Sequence, residues 1–82
     1  MGGLFTMDLQ IRLRSFEDAR TLADLATAMP FQVWISDGRQ WVDAKSLLCV
    51  FSLDLGAPLT LQCHCSAEEL NRLRSLLGDM GR

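Results

Sequence analysis

Seven consecutive residues, Leu59 to Cys65, alternate between apolar and polar, with Leu59, Leu61, Cys63 and Cys65 on one side and Thr60, Gln62 and His64 on the other. A period of two is that of a β-strand with one dry face and one wet face. The same alternation runs through Met7, Leu9, Ile11 and Leu13 against Asp8, Gln10, Arg12 and Arg14, and through Phe31, Val33 and Ile35 against Gln32, Trp34 and Ser36. Strands of this kind are satisfied by an antiparallel sheet covered on one side only. After Ser36, Asp37-Gly38 offers the positive φ angles of a two-residue type I′ hairpin turn. Such a turn sets Ser36 opposite Arg39, Ile35 opposite Gln40, Trp34 opposite Trp41 and Val33 opposite Val42, which places both tryptophans on the wet face as a directly opposed pair.

Helix signals fill the gaps between the strands. Ser15 and Asp18 are both N-cap types, and Ala19, Leu22, Ala23, Ala26 and Met29 follow at helical spacing, ending before Pro30. Ser66-Ala67-Glu68-Glu69 is a capping box that opens a helix with Leu70, Leu73 and Leu77 as its apolar stripe, and Gly78 stops it. A third helix starts at Ser46. The predicted order is βαββαβα, an α+β domain over residues 7–78, with a loose tail at 1–6 and a frayed end at 79–82.

Composition narrows the function classes. A net charge of −2 gives no electrostatic footprint for nucleic acid. Three cysteines, Cys49, Cys63 and Cys65, are odd in number and lack the spacing of a zinc or redox motif, so no metal, cofactor or disulfide is indicated and a reducing, cytoplasmic setting is expected. Strand alternation also sets His64 opposite the thiols of Cys63 and Cys65. No apolar run approaches the roughly 20 residues of a membrane span. Met1 to Thr6 formally fits a myristoylation pattern, one short enough to arise by chance.

The segment from Val42 to Gly56 asks for more than folding. After Ser46 come Leu47, Leu48, Val50, Phe51 and Leu53. In a helix of about nine residues an apolar stripe covers roughly a third of the circumference, so the five cannot share one core. Val50 and Leu53 fall on one side; Leu47, Leu48 and Phe51 fall on another and are expected to be an exposed patch.

Asp43-Ala44-Lys45-Ser46, continued by Ser52-Leu53, resembles the opening of the second helix of HPr, the small phosphocarrier of the bacterial sugar phosphotransferase system, where the run is Asn-Ala-Lys-Ser followed by bulky apolar residues. The similarity, weaker upstream, extends from about Met7 to Leu77. It implies an open-faced β-sandwich with a four-stranded antiparallel sheet and three helices on one face. In that family Gly-Leu-His-Ala-Arg-Pro precedes the first helix, and its histidine carries the phosphoryl group. Here the run is Phe16-Glu17-Asp18-Ala19-Arg20-Thr21. Asp18 occupies the phosphohistidine position and Arg20 matches the arginine; without the imidazole nitrogen the resemblance implies no phosphocarrier activity and no enzyme. Ser46 matches the serine that is a regulatory phosphorylation site in HPr of low-GC Gram-positive bacteria.

The expected function is a non-catalytic regulatory or binding domain. It docks a protein partner, such as a transcription regulator, a kinase or a phosphotransferase component, through Arg20, Leu47, Leu48 and Phe51, under control of Ser46. The alternative is a structural or assembly module, a homodimer or accessory domain, using Trp34 and Trp41 or the helix patch. Each residue has a plain reading too: Asp18 and Ser46 as helix caps, Arg20 as a surface cation pairing with Asp18 or Glu17, and the tryptophans as a hairpin clasp.

Overall fold

Leu59, Leu61, Cys63 and Cys65 are fully buried, so the alternation of this strand marks a real division between a dry and a wet face. The computed structural model describes residues 5–81. Its elements are β1 (Phe5–Ile11), α1 (Phe16–Ala28), β2 (Val33–Ser36), β3 (Trp41–Asp43), α2 (Leu47–Phe51), β4 (Leu59–Cys65) and α3 (Ala67–Leu77), followed by a 3-10 turn at Gly78–Gly81. The strands form one antiparallel sheet in the order β1-β4-β2-β3, an α+β arrangement with three helices.

Register joins the apolar positions into rows. Leu9 faces Leu61, which faces Ile35, which faces Val42; Met7 and Val33 flank Cys63. The helices cover these rows: Ala19, Leu22 and Ala26 from α1, Val50 from α2, and Leu70, Leu73 and Leu77 from α3 belong to the same buried cluster. Side chains of the opposite face, among them Asp8, Gln10, Trp34, Trp41 and His64, are exposed. No helix among the described residues is long and apolar enough to cross a membrane.

The ends differ from expectation. β1 starts at Phe5, because Phe5 and Thr6 continue the ladder opposite Cys65 and His64; of the expected tail, Met1 to Leu4 lie outside the described residues. At the other end Asp79, Met80 and Gly81 are not frayed. Gly78, at φ +58°, reverses the chain at the end of α3, Met80 is buried, and its carbonyl accepts from the Arg12 N–H at 2.8 Å. Arg82 lies outside the described residues.

The hairpin also differs. Ser36 pairs with Trp41, Ile35 with Val42 and Trp34 with Asp43, so the loop has four residues, Asp37 to Gln40. Only Gly38, at φ +94°, takes a positive φ there, which excludes a type I′ turn. The cause is the Asp37 carboxylate. Its Oδ1 accepts from the N–H groups of Arg39 (2.9 Å) and Gln40 (3.3 Å), and its Oδ2 accepts from Asp54 N–H (2.9 Å), an Asx-type turn that also ties the hairpin to the loop after α2. A shift of two residues preserves the faces but not the pairing: Trp34 and Trp41 share the wet face as diagonal rather than opposed neighbours.

Those N–H groups, Asp54 first and Arg39 second, hold the Asp37 carboxyl below its ordinary value of 3.8. A carboxyl lowered on folding adds stability above its unfolded value, and that increment disappears as pH falls through the folded value. The urea midpoint of Asp37→Asn should therefore lie below wild type at pH 6, with the gap closing below about pH 3.8. A gap unchanged into acid would assign the loss to geometry rather than charge.

Candidate functional site

The N-terminus of α1 is set by Ser15, whose hydroxyl accepts from Asp18 N–H at 3.1 Å. The Asp18 carboxylate reaches back and accepts from Arg14 N–H at 3.0 Å, closing the turn from the other side. Asp18 is thus the third helical residue, neither the cap nor a residue ahead of the helix. The position that the resemblance aligns with a phosphohistidine lies inside the first turn, with its carboxylate already engaged. Arg20 is exposed on the same helix and makes no ion pair with Asp18 or Glu17.

The entry to α2 is organised by Asp43. Its carboxylate accepts from Lys45 N–H at 2.9 Å and its carbonyl from Ser46 N–H at 3.1 Å, while Ala44 beside it is fully buried. Ser46 then caps: its hydroxyl accepts from Cys49 N–H at a long 3.4 Å and its carbonyl from Val50 N–H at 3.0 Å. The Lys45 ammonium is 3.9 Å from Asp43 Oδ2 and donates to Gln32 Oε1 at 3.4 Å. At this exposure such contacts contribute little.

α2 is only five residues long. The Ser52 hydroxyl donates to the Cys49 carbonyl at 2.6 Å, ending the helix after little more than a turn and leaving Leu53 to enter the core from the loop beyond. Helical phase corrects the expected patch. At about 100° per residue, Leu47 sits about 60° from Val50, and it packs against the core with Val50 rather than facing solvent. Leu48 is 84% exposed and Phe51 39% exposed.

The patch gains a member that the sequence did not announce. Phe16, 77% exposed at the first position of α1, meets Phe51 edge-to-face, with centroids 5.4 Å apart and rings at 87°. A shallow cleft of about 440 Å3, lined by Leu13, Arg14, Ser15, Phe16, Leu55 and Gly56, continues it on the α1 side. Phe16 continues the edge of the stripe of Ala19, Leu22, Ala23 and Ala26, at i to Ala19 (i+3) and Ala23 (i+7), but periodicity within α1 says nothing of a partner on another helix. A large aromatic directly after a cap was the available signal.

On the opposite side of the domain Trp34 (42% exposed) and Trp41 (49% exposed) form a second, separate apolar area. His64, Cys63 and Cys65, adjacent along β4, do not converge on one site. His64 is exposed while Cys63 and Cys65 are buried on the other face, and no group of metal-binding side chains occurs among the described residues. Burial, reinforced by Cys65, pushes the Cys63 thiol up to about 12, and burial with the Glu69 charge raises Cys65. Neither thiol forms a nucleophile at neutral pH. Comparison of the chain with protein-family models, curated proteins and solved structures finds no match.

The two sides of α2 should separate on truncation. Val50→Ala and Leu53→Ala should destabilise strongly, Leu53→Ala by about 2–5 kcal/mol, whereas Leu48→Ala should cost under about 0.5 kcal/mol in urea unfolding. A loss at Leu48 matching that at Leu53 would make the patch part of the core.

Proposed function

We propose that this chain is an HPr-like regulatory or binding domain without phosphocarrier activity, which docks a protein partner through the surface around α2. The observation that carries the reading is the exposed edge-to-face pair of Phe16 and Phe51, with Leu48 exposed on the same short helix that Ser46 caps. Three large apolar side chains left in solvent cost the domain solubility and give its core nothing, and an area of this kind marks an interaction site more often than an accident of packing. The element order and the strand order β1-β4-β2-β3 support the open-faced sandwich that the resemblance implies, with the three helices on one face.

Phosphoryl transfer is excluded from the reading by residue chemistry. Asp18 has no imidazole nitrogen, and its carboxylate is occupied with Arg14 N–H. Ser46 takes the regulatory role instead. It is half-buried at the start of α2, and a phosphate there adds close to two negative charges beside Leu47 and Leu48, turning an apolar surface into a mixed one that an arginine-bearing partner reads. Lys45 next to it is already engaged by Asp43 and Gln32, and the Asp43 carboxylate opposes the incoming charge. The modification therefore changes affinity rather than fold.

Incubation with an HPr-type serine kinase and ATP, followed by intact mass, tests this. One phosphate should appear on wild type and none on Ser46→Ala. Leu48→Ala should be modified about tenfold more slowly, as expected when a central apolar contact worth roughly 1.4 kcal/mol is removed from a docking surface. Wild type left unmodified, or equal modification of Ser46→Ala, would reduce Ser46 to a helix cap and remove the regulatory reading.

A further inference from the structure

The open face of the sheet carries a pattern distinct from the α2 patch. Register aligns Asp8, Gln62, Trp34 and Asp43 into one row across all four strands, and Gln10, Thr60, Ser36 and Trp41 into the next. Strands lie about 4.8 Å apart, so the first row places carboxylates roughly 14 Å from one another with an indole between them. The only fixed charges in the two rows are negative. Asp8 is exposed and, among the described residues, accepts only from Gln62 Nε2, at 3.3 Å; Asp43 keeps Oδ1 on Lys45 N–H at 2.9 Å, while its Oδ2 meets the Lys45 ammonium at 3.9 Å, a contact that a better cation displaces. Gln10 Nε2 donates to Thr60 Oγ1 at 3.0 Å, so the second row is neutral.

Both indoles are exposed, and among the described residues neither has a cation over its ring. Of the other charged or titratable groups near this face, Arg12 follows β1, Arg39 lies in the hairpin loop, and His64 sits one row beyond Gln62, opposite Thr6. We infer that this face is a docking surface for a basic peptide segment, whose arginine side chains stack on Trp34 and Trp41 and pair with Asp8 and Asp43. Guanidinium suits both partners at once, since it is planar enough to lie on an indole and presents a fork of donors to a carboxylate. The surface is distinct from the patch of Leu48, Phe51 and Phe16, and shares with the Ser46 region only Asp43, at the start of α2.

The probe is a blocked peptide of alternating Arg and Ser, with a Glu-for-Arg peptide as control, titrated into the 15N-labelled full chain while tryptophan fluorescence is followed. Chemical-shift changes should cluster on Asp8, Trp34, Trp41, Asp43 and Gln62, with the Glu peptide silent and binding lost on raising salt from about 0.05 to 0.5 M, as screening of exposed charges requires. Asp8→Asn, which keeps the Gln62 partner, should weaken binding about threefold to fivefold, the scale of one exposed ion pair. Trp34→Leu should weaken it further in a domain confirmed folded by its spectrum, while Leu48→Ala leaves it unchanged. Silence up to millimolar peptide, equal response to the Glu peptide, shifts centred on Phe16 and Leu48, or unchanged affinity in Asp8→Asn would overturn the assignment.

Discussion

Burial of one face of β4 is the constraint on which the rest of the structure depends. β4 lies between β1 and β2, and its Leu59, Leu61, Cys63 and Cys65 touch the rows built by both neighbours. Only one side of this strand can be dried, because Thr60, Gln62 and His64 point the other way. The three helices therefore gather on one face, where Leu22 and Leu73 complete the cluster, and the opposite face stays in water. A domain of 82 residues has little area to spare, so nearly every aliphatic side chain with access to this cluster is used in it.

What remains outside the cluster is informative for that reason. Leu48 cannot reach the core, because at about 100° per residue it lies about 160° from Val50, and Phe51 sets its ring against Phe16 at the margin of the cluster. Trp34 and Trp41 are excluded by the parity of the strands that carry them. The domain thus offers two apolar areas on opposite sides, one formed at helix ends beside a hydroxyl and one on a sheet with carboxylates at its margins. Their chemistries differ, and so do the partners they suit.

The sequence conveyed the periodic parts of this arrangement and lost the rest. Alternation identified β1 and β4 face by face, and the capping box placed the start of α3 at Ser66, where the Glu69 carboxylate and the Ser66 hydroxyl bond reciprocally. Both signals are local, decided by residues within one strand or one turn. The hairpin register was misread because a third element intervened: Asp54 N–H, seventeen positions away, bonds to Asp37 and favours the wider loop. Leu47 lies only about 60° from Val50, at the boundary between the two sides of α2, and the sequence does not show which side the core takes. Phe16 escapes notice because its partner Phe51 lies on another helix, and the start of α1 stays open between Ser15 and Asp18 because both are N-cap types, Ser15 being the cap in the structure.

Stability should accordingly be graded outward from β4. Its amides are bonded on both sides within a covered sheet, while α2 is attached to the core through Leu47 and Val50 and to α1 through Phe51, and keeps a solvent-facing side. Native-state hydrogen exchange in low concentrations of denaturant measures this grading directly. The amides of Leu61 and Cys63 should exchange only with global unfolding, and those of Val50 and Phe51 by local opening at clearly lower free energy. Equal protection of β4 and α2 would contradict it, because α2 would then be an integral part of the core and its outer surface could not be a separately available docking site.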